Sequence, residues 1–222
     1  WIEWDWAGSD ASLRRALELN PRLAISHGYR AVRLAWLHQG DEAIREARRG
    51  MELEPDSAIQ TYIAGNVLYW LRRFDASLEL ENQALKVDPA SFFVHWVRTP
   101  LLTELGDHAA AIAGIEGVLA GGTRPVLLLA ALGRAYARAG RPTETQQLLD
   151  ELLRRRKQEY VAAMYLGELY AALGDRTQAC DWLERAYEER NGWLPSSLIA
   201  PPYDDMREEA RFAALAKRMH LT

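Results

Sequence analysis

Three prolines, Pro21, Pro55 and Pro89, are spaced 34 residues apart and close three similar phrases, RRALELNP, RRGMELEP and NQALKVDP. Before each proline the apolar residues have helical spacing, and the proline ends the helix. The period outlasts the prolines. Ser9, Ala43, Ser77, Ala111, Thr145 and Ala179 continue it with small residues; Ala31, Gly65, Thr99, Gly133 and Gly167 form a second small series; Leu34, Leu68, Leu102, Tyr136 and Tyr170 form a large apolar one. A unit of this length that repeats small and large positions is a helical hairpin whose open apolar face is covered by the next hairpin. The Gly65, Gly133 and Gly167 positions on the first helix should face the Ala43, Ala111 and Ala179 positions on the second, where only small side chains allow close approach.

The period places a leading helix near 7–19. Hairpin helices follow near 24–38 and 41–53, 58–71 and 74–87, 92–105 and 108–120, 126–139 and 142–157, and 160–173 and 176–189. This predicts an all-α chain. Residues 1–190 form a repeat array of a half-repeat plus five hairpins. Residues 191–222 form an irregular loop, rich in proline at Pro195, Pro201 and Pro202, and then a capping helix over 204–220 with Phe212, Leu215 and Met219 on one face. Pro100 should kink or shorten its helix, and Gly121-Gly122 marks a flexible joint.

The spacing resembles that of the tetratricopeptide repeat family, most closely in LGELYAALGDRTQACDWLERAYEE, with Leu166, Gly167, Tyr170, Gly174, Ala179, Leu183 and Ala186 in register. The resemblance covers about residues 5–190. It implies an α-solenoid, a right-handed superhelix of antiparallel hairpins, that binds a protein or peptide in a concave groove lined by the first helices. Carried onto this chain, the groove positions include Trp36, Tyr62, Asn66, Tyr69, Trp70, Phe93, Trp96, Arg134 and Arg138. Trp, Tyr and Arg are enriched at binding hot spots, and the same spacing equally fits packing between neighbouring helices. Asn66 lacks the companion lysines of the carboxylate-clamping members. The opening DWAGSDASLRRALELNP and the ending WLERAYEERNGWL with YDDMREEARFAALAKRMHL are also similar to the repeat segments that follow signalling domains in bacterial regulators, although Ala200-Pro201 and Glu209-Ala210 replace the usual Asp-Pro pairs. That resemblance implies a regulatory or scaffold part of a larger protein. The start at Trp1 rather than Met, within helix-approach sequence, points the same way.

Charge and chemistry narrow the function classes. The net charge of −4, from 27 basic and 31 acidic residues, lacks the positive surface that a nucleic-acid binder or a polybasic membrane binder needs. The basic run Arg154–Lys157 reads as a solvated helix end that suits the helix dipole. The lone Cys180 forms no internal disulfide, which suits a reducing compartment such as the cytoplasm. The five histidines have no metal-ligand spacing, and neither a phosphate loop nor a catalytic grouping is present, so no catalytic residue, metal or cofactor is expected. A small-molecule or lipid sensor using the aromatic cleft remains a second reading. Self-association through the tryptophan-rich start (Trp1, Trp4, Trp6) is a third.

Overall fold

The computed structural model describes residues 4–89 and 91–221. Helices fall where the period places them: α1 Trp6–Leu19, α2 Ala24–Trp36, α3 Gly40–Leu53, α4 Ala58–Trp70, α5 Phe74–Val87, α6 Phe92–Glu104, α7 His108–Leu119, α8 Val126–Arg138, α9 Pro142–Arg155, α10 Ala163–Ala172 and α11 Arg176–Glu188. The tail departs from the single helix expected over 204–220. It forms a short α12, Leu194–Leu198, a 3₁₀ turn, Pro201–Met206, and α13, Ala210–Arg218. Among the described residues there is no strand, and no helix is long and apolar enough to cross a membrane.

One backbone device repeats with the sequence. Trp4, His38, Arg72, Gly106, Gly140 and Gly174, each 34 residues from the next, all have positive φ, between 51° and 83°. In the last five, the following residue sends its N–H back to the large apolar position of the preceding helix. Gln39, Arg73, Asp107, Arg141 and Asp175 donate to the carbonyls of Leu34, Leu68, Leu102, Tyr136 and Tyr170 at 2.8 to 3.0 Å. This six-to-one closure satisfies a helix-end carbonyl and turns the chain sharply into the second helix. Asp5, Asp107 and Asp175 then cap that second helix by accepting from the N–H three residues on, a contact that typically stabilises a helix by about 1 kcal/mol.

The chain divides into two compact units, one of Trp1–Val94 with Ala216–Thr222 and one of His95–Leu215. In the first, α2 packs on α3, α4 on α5, and α2 on α4. Its core includes Ala31, Leu34, Ala43, Ala47, Ile63 and Val67, all buried. Ser77 Oγ donates to the Gly65 carbonyl at 2.8 Å. Arg30, which stands where later repeats carry leucine, spans its hairpin to pair with Glu42 at 3.1 Å and Glu46 at 3.0 Å. His27 is also held structurally, by Glu46 at 2.6 Å and the Pro21 carbonyl at 3.2 Å.

In the second unit α8 packs on α9 and α10 on α11, with α8 against α10. Thr145 Oγ1 donates to the Gly133 carbonyl at 2.8 Å, and a Cβ on Gly167 would lie 3.2 Å from the Ala179 carbonyl. The small series therefore do face each other, as the spacing predicts. Helix α6 runs through Pro100 to Glu104, with Thr99 and Thr103 hydroxyls bonded to the carbonyls of His95 and Thr99, each at 2.7 Å. Part of the basic run turns inward rather than out to solvent. Arg156 pairs with Glu189 and the Val161 carbonyl, and its guanidinium lies 5.2 Å from the Trp182 ring centre.

Candidate functional site

In the first unit the predicted groove residues divide into two groups. Trp36 ends α2 and is fully buried. Its ring meets Trp70 edge-on at 5.7 Å and Trp6 edge-on at 6.2 Å, so residues one repeat apart continue into the leading half-repeat as a ladder. The carboxyl-terminal residues lie against the same end: Trp6 Nε1 donates to the Met219 carbonyl at 2.9 Å, and His38 Nε2 meets the Leu221 carbonyl at 3.0 Å. Trp6 is thus engaged by its own chain, while Trp1 lies outside the described residues. Tyr69 is buried too, its ring 6.0 Å from that of Phe74, where it packs α4 on α5. Asn66 is buried and hydrogen-bonded to Tyr62.

The other group faces outward. Phe93 is 49% exposed, Ile59 59% and Tyr29 44%. Tyr62 is half-buried between them. Its ring centre is 6.4 Å from that of Phe93, it stands one turn beyond Ile59 on the same face of α4, and Tyr29 is near enough to act on its titration. Burial first, and then the negative charge of Glu81, hold the Tyr62 hydroxyl well above the usual tyrosine range, so it remains a neutral hydrogen-bonding group. The first helices of three successive repeats together present Tyr29, Ile59, Tyr62 and Phe93 as one apolar surface. Tyr29 escapes the groove spacing because it stands at the sixth position of its repeat, where the later repeats bury Ile63, Val97 and Ala131; nothing in the sequence separates it from those core residues.

In the second unit Trp96 is half-buried and Arg138 is exposed. Arg134 is tied to Glu168 at 3.0 Å, and Glu168 is 4% exposed. Ser197 Oγ, from α12, donates to the other oxygen of that carboxylate at 2.8 Å. The first-helix face of α8 and α10 is therefore covered by the chain's own segment, in which Leu194, Leu198, Ile199, Pro201, Tyr203 and Met206 are buried. Burial holds the Tyr203 hydroxyl well above its ordinary range.

Reactive groups are placed for packing. Cys180 is buried, and burial raises its thiol, which keeps it a poor nucleophile. Asp204 pairs with Arg207 at 2.7 Å. Among the described residues no three His, Cys, Asp or Glu side chains are grouped to hold a metal ion.

No family model matches the sequence, and no curated protein matches it. Solved structures do. PilW, described as a widely conserved type IV pilus biogenesis factor, matches with TM-score 0.62 and 18% identity over 95% of this chain and 90% of that one. A tetratricopeptide repeat protein from Parabacteroides merdae matches with TM-score 0.66 and 14% identity over 96% and 76%. PilF of Pseudomonas aeruginosa matches with TM-score 0.56 and 18% identity over 87% and 88%. Identities this low carry the fold and nothing finer. With the 34-residue spacing, the repeated turn and the small-residue crossings, they establish that the chain is an all-α array with the tetratricopeptide-repeat fold.

Proposed function

We propose that this chain is a non-catalytic protein- or peptide-interaction module whose partner docks on Tyr29, Ile59, Tyr62 and Phe93. The observation that carries the reading is the exposure of three large apolar side chains around one half-buried tyrosine. A contiguous apolar surface of this kind marks an interaction site more often than solvent-facing chance, and aromatic anchors dominate the energy of such sites. The array of residues 1–190 presents the surface, and residues 191–222 belong to the same domain as its tail.

A photo-cross-linking side chain at position 93, set against one at the exposed Arg48, tests the reading in bacterial extract. A discrete adduct at 93, absent at 48 and lost with Tyr62→Ala, supports it. Equal labelling at both positions sinks it. The similarity of both chain ends to the repeat segments of bacterial regulators supports a place as the cytoplasmic regulatory or scaffold part of a larger signalling protein. The coding sequence upstream of Trp1 decides this: a winged-helix, kinase or cyclase frame supports it, and a frame without a signalling domain rejects it.

A further inference from the structure

A cleft opens on the second-helix side of the second unit, between α7, α8 and α9. It measures about 420 Å³, within the range of about 300–1,000 Å³ that holds small ligands. Leu132 on α8 and Leu148 on α9, both buried, give it an apolar floor. Its walls are acidic. Glu116 stands on α7, and Glu144 and Glu151, two turns apart, stand on one face of α9.

The repeat explains why the space is open. One period further on, between α9 and α11, the Trp182 ring of α11 lies 5.2 Å from the guanidinium of Arg156 at the end of α9, and 5.6 Å from that of Arg185. Moved back by one repeat, Trp182 falls on Leu148, Arg156 on Gly122 and Arg185 on Glu151. A ring is thus exchanged for a smaller side chain, one guanidinium for no side chain at all, and the other for a carboxylate. Gly122 has φ 90°, and a Cβ there would meet nothing within 4 Å. The cleft therefore lacks the aromatic mass and the positive charge that the α9–α11 interval carries in its own side chains.

The three carboxylates are unequally compensated. Arg124 holds Glu151 at 2.6 Å and Arg141 holds Glu144 at 2.8 Å. Glu116, exposed at the mouth of the cleft, accepts a hydrogen bond from the Tyr136 hydroxyl at 2.6 Å, and burial together with that bond keeps the phenol neutral. Among the described residues Glu116 forms no ion pair of its own. We propose that this cleft binds a small aromatic amine or guanidine, with its ring on Leu132 and Leu148 and its cationic head on Glu116. The occupant supplies what Trp182 and Arg156 supply one repeat later, and Glu116 gains a charge-assisted hydrogen bond. The proposal does not rest on the surface around Phe93, and either can fail without the other.

The test titrates the full chain, labelled for amide NMR, with phenethylamine and with its neutral analogue 2-phenylethanol. Amide resonances of residues 116–124 and 144–151 should shift with the amine and saturate with a dissociation constant of about 1 mM, the scale at which a ligand this small binds. The alcohol should bind roughly tenfold more weakly, and Glu116→Gln should weaken the amine by the same factor, as loss of a hydrogen bond to a charged group predicts. Leu148→Trp, which sets the ring of the next repeat into the cleft, should abolish the shifts. Because Glu116 is exposed, its variant decides the matter even where Leu148→Trp fails to fold. Shifts that climb without saturating, that match between amine and alcohol, or that persist undiminished in Glu116→Gln overturn the proposal. So does a chain that responds to acetyl-tryptophanyl-arginine amide and not to phenethylamine, which would make the occupant a partner's side chains.

Discussion

Ser77 Oγ donates to the carbonyl of Gly65 at 2.8 Å, and two repeats later Thr145 makes the same contact with Gly133 at the same distance. The hydroxyl of the second helix reaches the backbone of the first at a crossing where a Cβ on the glycine would run into a neighbouring side chain, Glu81 at Gly65 and Leu169 at Gly133. The repeat thus records how closely two helices approach, and its small positions predict the sign of substitutions.

A Cβ on Gly133 would stand 2.5 Å from Leu169 Cδ2, whereas one on Gly117, in α7, would meet nothing within 4 Å. Gly133→Ala should therefore cost about 1–3 kcal/mol by overpacking. Gly117→Ala should stabilise by roughly 0.4–1 kcal/mol through the unfolded chain. Urea midpoints at unchanged slope measure both; two shifts of the same sign would contradict the packing.

The turn position separates residues that the sequence makes look unrelated. Gly140 has φ 74° and Arg72, at the same place in its repeat, φ 62°. Gly140→Ala should lose about 1–2 kcal/mol, and Arg72→Gly should gain up to about 1 kcal/mol, because only glycine takes this conformation without steric cost. Thermal midpoints of the two variants should move in opposite directions.

What the sequence made legible follows from what the repeat encodes. Hairpin positions, the small-residue crossings and the return of Leu34, Leu68, Leu102, Tyr136 and Tyr170 at helix ends are nearest-neighbour facts that recur every 34 residues. The left-handed turn was readable at Gly106, Gly140 and Gly174 and hidden at His38 and Arg72, where a side chain masks the backbone requirement. The cover that Leu194–Met206 lays over α8 and α10 was unreadable because its contacts, such as Ser197 on Glu168, 29 residues apart, lie outside any period. For the same reason groove spacing placed Trp36 and Phe93 in one class. Burial by the half-repeat, through Trp6, distinguishes them.

Tyr136 donates to Glu116 at 2.6 Å, and burial, then that hydrogen bond, push its pKa from 10 to about 12. A raised folded-state value means the contribution is complete below pH 10 and is lost as pH rises toward 12, where the unfolded chain ionises first. Tyr136→Phe should remove roughly 1–3 kcal/mol of this alkaline sensitivity. The check is the difference in thermal midpoint between pH 9 and pH 11.5, which should narrow in the variant.

Glu151 behaves oppositely. Its hydrogen bond with Arg124, whose Nη2 lies 2.6 Å away, lowers its carboxyl below the ordinary 4.5. A depressed folded-state value gives stability that is present above about 4.5 and lost as pH falls through the lower one. The pair is half open to solvent, so its worth is at most about 1 kcal/mol. Glu151→Gln should be less stable than wild type at pH 6 and converge with it as pH falls far enough for the wild-type carboxylate to take up its proton. An undiminished gap at low pH would mean the glutamine disturbs packing instead.

The sharpest division lies between Trp36 and Phe93, which share a role by spacing and differ in burial. Trp36→Ala removes a ring wedged between Trp6 and Trp70 and should cost about 3–5 kcal/mol, as loss of a buried aromatic does. Phe93→Ser changes a half-exposed side chain and should leave stability within about 0.5 kcal/mol. Partner retention should show the reverse economy of effects per unit of stability: Phe93→Ser should weaken it by roughly thirtyfold at full folding, the scale of a hot-spot side chain. Trp36→Ala should weaken it only as far as it unfolds the chain. Denaturant melts with retention measured below the transition separate the two, and a Phe93→Ser chain that keeps its partner at wild-type strength would move the interface away from the aromatic surface.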